Sequence, residues 1–125
     1  MVSLGDAFLI ATPPNGKHLY IAIAPISLEA FLFVNTTSRT SHSEVTCLLQ
    51  PGPDVPDFIY RESAIAYQYA REITAPELAQ LISQGVAAPS GRCSGGVVRQ
   101  IQRGGLASKR LKNKYKDVLK AYLGV

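Results

Sequence analysis

The hydrophobic pattern of this chain changes period part-way along, and that change restricts the fold more than any other feature. Residues 7–70 hold short apolar runs separated by proline, glycine and asparagine, whereas beyond residue 74 apolar positions recur three and four apart. Strands gathered first and helices afterwards argue against alternating βαβ units and a parallel sheet. The run 7–10 (AFLI) stops at Thr12-Pro13-Pro14-Asn15-Gly16, whose prolines and Asn-Gly pair demand a loop. Residues 18–26 (HLYIAIAPI) follow as a long central strand, so the two form a hairpin with an irregular, exposed connection. Asp6, after Gly5, reads as a turn residue that bonds backbone.

Residues 30–36 (AFLFVNT) make the third strand, with Phe31 and Phe33 on one face and Leu32 and Val34 on the other. Apolar residues on both faces predict burial on both sides. A polar loop over 37–43 (TSRTSHS) leads to a fourth strand at 44–49 (EVTCLL). Three prolines within 50–57 exclude a helix and a central strand there. Residues 58–60 (FIY) add a fifth strand, followed by less definite extended structure at 63–67.

The helical half opens at Thr74, with Pro76 in the first turn and Glu77 placed for a capping box. Leu78, Leu81 and Ile82 give that helix its buried face, and Gly85 ends it. Residues 86–92 (VAAPSGR) read as a loop. Ser94 caps a short helix to about Arg103, broken by Gly104 and Gly105, and the last helix starts near Ser108. In that last helix Leu111, Tyr115, Val118, Leu119 and Tyr122 fall within an arc of about 100°. Lys109, Lys112, Lys116 and Lys120 line up beside them, with Arg110 and Lys114 on the other flank. The expected fold class is α+β in one domain: a small, strongly bent antiparallel barrel mainly over 1–70, then a mainly helical part over 74–124 ending in a basic helix.

Several function classes drop out. With 46% hydrophobic and 18% charged residues the chain is not globally disordered. No apolar run approaches the roughly 20 residues of a membrane-spanning helix. The opening stretch lacks a basic segment before its apolar run, and Gly5 and Asp6 interrupt that run, so a cytoplasmic location with Cys47 and Cys93 as buried thiols is expected. Neither CxxC nor HxxxH spacing occurs, which predicts no metal site, and the absence of GxxxxGK[ST] and GxGxxG predicts no nucleotide cofactor. Ser94, in GRCSG over 91–95, lacks the GxSxG frame of a nucleophile elbow.

Charge is unevenly spread. Residues 1–91 carry four basic and eight acidic residues, whereas residues 92–125 carry nine basic residues against the single Asp117. Such asymmetry marks a surface that meets a polyanion, or a solvated lysine-rich helix.

One family shares this order of elements. Gly5-Asp6 before a short hydrophobic strand, a Pro/Gly-rich loop, a long apolar strand, and a third strand closing in Thr36-Thr37-Ser38 resembles the PemK/MazF-like growth-inhibitor toxins over roughly residues 4–50. The resemblance implies an SH3-like barrel with appended helices and metal-independent cleavage of single-stranded RNA. It also implies a homodimer inhibited by an antitoxin lying in its groove. Where the family carries an Arg-Pro pair after the first loop, this chain has Lys17-His18. The catalytic cation then moves to Arg39 or Lys17, or is lost.

Cleavage through the 2′-hydroxyl needs a base, an acid and a cation for the charge on phosphorus. The 37–42 loop offers hydroxyls at Thr37 and Ser38, the Arg39 guanidinium and the His42 imidazole, and Lys17 and His18 stand at the start of the neighbouring strand. These form the candidate site, with Lys112, Lys116 and Lys120 as a further substrate-binding stripe. A noncatalytic module that binds nucleic acid or protein through the basic helix is the alternative. Tyr60, Tyr67 and Tyr69 cluster after the proline-rich turn, where they either stack bases or pack in the core.

Overall fold

The computed structural model describes residues 2–14 and 16–125; Asn15, in the expected turn signal of the first loop, lies outside the described residues. The strands are β1 (Asp6–Ala11), β2 (Lys17–Pro25), β3 (Ala30–Ser38), β4 (Leu48–Leu49), β5 (Ser63–Thr74) and β6 (Ala87–Arg92). The helices are α1 (Ala75–Ser83), α2 (Gly95–Ala107) and α3 (Asn113–Leu123). The strands form one sheet in the order β4-β5-β3-β2-β1-β6, antiparallel throughout. Bulges interrupt the β1–β6, β2–β3 and β3–β5 ladders, and each adds local twist. The sheet curls strongly into a half-barrel whose edges, β4 and β6, do not pair with each other. The α+β class expected from the sequence, a bent antiparallel barrel with C-terminal helices, is the fold observed.

Both faces of the sheet are covered, as the doubly apolar third strand requires. On one face Leu19, Ile21, Ile23, Leu32, Val34 and Ile65 pack against Val98 and Ile101 of α2 and Tyr115 and Leu119 of α3. On the other, Phe8, Ile10, Tyr20, Ala22, Phe33 and Ile73 pack with Leu78 of α1. The period-2 alternation of β2 thus supplies two cores at once. Cys47 and Cys93 are buried free thiols. Burial raises the Cys47 pKa and pushes that of Cys93 up to about 12, so both stay protonated and inert.

The capping box at Thr74 and Glu77 forms as expected, and β5 runs directly into it. Asp6 accepts the Ser3 N–H at 2.8 Å, a turn role as expected, and it also pairs with Arg92. Other boundaries need correction. Residues 58–60 are not a strand, and the fourth strand shrinks to Leu48–Leu49, because β5 takes the central place instead. The 86–92 segment is the edge strand β6 rather than a loop, so the sheet is not confined to residues 1–70. An edge tolerates Pro89, which a central strand would not. Ile82 of α1 is exposed rather than buried, as is Tyr122 of α3. The last helix starts at Asn113, because the Ser108 hydroxyl accepts the N–H groups of Arg110 and Leu111 and closes a turn there.

Gly104 and Gly105 do not end α2. Both are buried inside it, where they let the helix approach the sheet and α3. A Cβ on Gly104 would meet the Tyr67 hydroxyl and stand 2.9 Å from the Cys47 Cβ. The helix is tied down at that point by two buried hydrogen bonds. The Tyr67 hydroxyl donates to the Ile101 carbonyl at 2.7 Å, and Gln102 Nε2 donates to the Ile23 carbonyl at 2.7 Å. Among the described residues, no helix is long and apolar enough to cross a membrane.

The packing generates a prediction about glycine. Gly104→Ala improves helix propensity by about 1 kcal/mol but overpacks the contact with Tyr67 and Cys47, at a cost of about 1–3 kcal/mol. Chemical denaturation is expected to show net destabilisation. Gly96→Ala, where the nearest atom to the new Cβ is 3.9 Å away, leaves the midpoint unchanged or raised.

Candidate functional site

The loop after β3 is built by its own hydroxyls. Ser43 Oγ accepts the Thr40 N–H at 2.9 Å, and Thr40 Oγ1 accepts the His42 N–H at 3.2 Å. Side chains then fasten the loop to the α2–α3 junction. Glu44 accepts from the Ser108 hydroxyl at 2.9 Å and the Lys109 N–H at 3.2 Å. Both terminal nitrogens of Arg110 donate to the His42 carbonyl at 3.4 Å. His42 is exposed, but the backbone that carries it is held from both sides.

His18, second residue of β2, is half-buried, and its Nδ1 lies 2.6 Å from Thr12 Oγ1. The Thr12 hydroxyl donates to the Gly16 carbonyl at 3.1 Å. Where the hydroxyl gives its proton to Gly16, Thr12 Oγ1 is the acceptor for a proton on Nδ1, the tautomer that leaves the Nε2 lone pair free.

Two adjoining hollows run across the end of the half-barrel. The first, of about 180 Å³, is lined by His18, Asn35, Thr37, His42, Tyr69 and Arg110, among others. The second, of about 280 Å³, is lined by Lys17, His18, Thr37, Ser38, Tyr60 and Arg61, among others. His18, Thr37 and Thr40 line both, so the two form one groove. Three of the lining groups, Lys17, Arg61 and Arg110, are cationic, two more are the imidazoles of His18 and His42, and Glu44, bound to Ser108 and Lys109, is the one carboxylate among these lining residues. Asn35, only 5% exposed, has a side-chain oxygen with no hydrogen-bond partner among the described residues. An unpaired buried acceptor costs about 1–3 kcal/mol, the kind of cost that persists at a binding site.

No family model and no curated protein matches the chain. The chemistry of the groove therefore has to be read from its own residues.

Of the residues singled out in the sequence, the fold brings Lys17, His18, Thr37, Ser38 and His42 together at the groove. Arg39 does not line either hollow. Its guanidinium bonds the Glu62 carboxylate at 2.9 Å, and its N–H donates to the Glu62 carbonyl at 3.2 Å. Lys116 and Lys120 belong to α3, Lys112 is the residue that precedes its first turn, and none of the three lines either hollow. Sequence reasoning missed Asn35, Arg61 and Arg110 as groove residues. In the sequence Arg61 and Arg110 are visible only as charges, and helical periodicity sets Arg110 on a flank, because the Ser108 turn that carries it toward the loop leaves no periodic trace. Among the described residues, no three His, Cys, Asp or Glu side chains gather as a metal site.

The Arg39 bond, followed by one from Gln50 Nε2 at 2.6 Å, holds the Glu62 carboxyl below its ordinary value of 4.5. A carboxyl whose folded pKa is lowered stabilises the fold fully above its unfolded value, and the contribution is lost as pH falls through the folded one. Arg39→Ala is accordingly expected to lower the melting temperature slightly at pH 7. The difference from the native chain should shrink as the pH falls below the ordinary carboxylate value, as thermal melts taken down through the acid range will show.

Proposed function

We propose that this chain is a metal-independent endoribonuclease of the growth-inhibitor toxin type, acting on single-stranded RNA in the groove. The observation that carries the reading is that two imidazoles from distant parts of the sequence, His18 and His42, line one hollow with the Thr37 hydroxyl and the Arg110 guanidinium. That set supplies the base, acid and cation of a 2′-hydroxyl transesterification. The order of β1, the first loop, β2 and β3 that resembles the toxin family supports the same reading, as does the curled sheet. By the same resemblance the protein acts as a homodimer restrained by an antitoxin protein.

In the proposed reaction His18 Nε2, oriented by Thr12, takes the proton of a ribose 2′-hydroxyl. The oxygen attacks the adjacent phosphorus, the bond from phosphorus to the 5′-oxygen breaks, and protonated His42 gives its proton to that leaving oxygen. The products are a 2′,3′-cyclic phosphate and a 5′-hydroxyl. Arg110 and Lys17 offset the charge on the phosphoryl oxygens, and Thr37 and Ser38 donate hydrogen bonds to them. Arg39, held by Glu62, takes no part.

Incubating purified protein with labelled RNA in EDTA tests this directly. Cleavage leaving cyclic phosphate ends is expected. His18→Ala and His42→Ala should each slow it by about 10²–10⁴-fold, and the pH profile should be bell-shaped. Expression should arrest growth, and the same substitutions should relieve the arrest. Absence of cleavage, or cleavage untouched by both substitutions, overturns the catalytic reading.

A second reading is favoured by the lysines of α3. Lys112 and Lys120 are exposed and Lys116 half-buried, and among the described residues none of the three is in an ion pair. In that reading the chain is a noncatalytic module that holds nucleic acid on this helix. Replacing all three by glutamine should then weaken RNA binding and flatten its salt dependence by about 0.7 per lost phosphate contact. If the groove alone binds, the same triple variant keeps its affinity and salt slope in an anisotropy titration.

A further inference from the structure

Tyr60 and Tyr69 are large aromatic side chains left 70% and 60% exposed. They line different hollows of the one groove, Tyr69 the first and Tyr60 the second, with His18 and Thr37 common to both. The exposure of Tyr69 is built into the sheet. Between the pairs Asn35–Ala66 and Phe33–Arg71, the single residue Val34 stands opposite four residues of β5, Tyr67 to Ala70. In a regular strand Tyr67 and Tyr69 would share a face. Across this bulge Tyr67 is buried, while Gln68 and Tyr69 turn outward to line the hollow.

Each tyrosine has a guanidinium in its hollow. The Arg61 guanidinium lies 5.1 Å from the centre of the Tyr60 ring and donates to the Tyr60 hydroxyl at 3.0 Å. Arg110 shares the first hollow with Tyr69. The buried Asn35 amide, whose oxygen lacks a partner among the described residues, stands in the wall of that same hollow. An aromatic face, a nearby cation and an amide in a hollow of about 180 Å³ suit one planar base with polar edges, being smaller than a pocket for a drug-sized ligand.

We propose that Tyr69 and Tyr60 are base-stacking stations on either side of the His18–Thr37 centre, so that the groove takes an unpaired strand with its bases splayed apart and refuses a duplex. The proposal rests on the RNA reading above and names the side chains by which the site selects an unpaired strand. A base stacks on Tyr69 with its edge toward Asn35, and another stacks on Tyr60 where Arg61 covers one face. The intervening phosphate crosses His18 and Thr37. Stacking tolerates any base, because each has a flat face, whereas paired bases keep their faces against one another.

The test uses the full chain and a 2′-O-methyl oligoribonucleotide of about ten nucleotides, within the range of single-strand sites, which binds but has no 2′-hydroxyl to react. Anisotropy titrations compare the native protein with Tyr60→Leu and Tyr69→Leu, which keep apolar volume but lose the ring, and with Tyr60→Phe and Tyr69→Phe. Each leucine variant is expected to bind about 5- to 100-fold more weakly with an unchanged salt slope, and each phenylalanine variant to bind within about twofold of native. A duplex of the same sequence should bind more weakly than the single strand. Leucine variants that bind as tightly as the native chain, or a duplex that binds equally well, would falsify the stacking proposal while leaving the RNA reading standing. Native protein that binds no RNA overturns both, and the exposed aromatics are then contacts for a protein. Strong binding that needs both rings, without cleavage of ordinary RNA, upholds the stacking stations and removes only the catalysis.

Discussion

The hydrogen bond from the Tyr67 hydroxyl to the Ile101 carbonyl, with that from Gln102 to the Ile23 carbonyl, seats α2 on the sheet, and the groove is built around that seat. The first ties the bulge of β5 to the middle of α2, through a helix surface kept bare by Gly104. Burial raises the Tyr67 pKa, with the neighbouring Cys47 adding to the effect, so the hydroxyl remains a donor at any physiological pH. Once α2 is seated, the chain leaving it turns at Ser108 and delivers Arg110 to the His42 loop. The bulge that sends Tyr67 inward also sends Tyr69 out. Core packing and groove geometry are therefore two results of one arrangement.

The strands that announced themselves were those with local cause. The doubly apolar stretch at Phe31 to Val34 could only lie between two covered layers, and Thr74 with Glu77 wrote its own helix start. What escaped was decided at long range. Residues 86–92 look like a loop because Pro89 and Gly91 suit one, yet pairing with β1 makes them a strand. The two glycines of α2 look like a break because an isolated helix would be weakened there. Only the closeness of Tyr67 and Leu119 explains why they stay helical.

The candidate site was legible to a similar degree. Thr37, Ser38 and His42 were visible as a polar loop, and Lys17 and His18 as a strand start, and the fold sets them around one groove. Arg39 lines neither hollow and pairs with Glu62 instead. Nothing in its local sequence foretells the carboxylate of Glu62, which comes from 23 residues further along. Arg61 and Arg110 come from opposite halves of the chain, Arg61 standing over the Tyr60 ring and Arg110 lining the hollow that Tyr69 also lines. The lopsided charge distribution thus hides a site assembled from both its acidic and its basic part.

The half-barrel leaves two strand edges without a neighbour, and both are poor templates. β4 offers only Leu48 and Leu49. β6 is interrupted by Pro89, which has no N–H to give, and by Gly91 at a positive φ of 82°. An incoming strand would find no continuous ladder on either side, and edge-to-edge polymerisation into fibres is disfavoured by the backbone itself. An open sheet is thus guarded at its edges without the closure that other small barrels use for the same end.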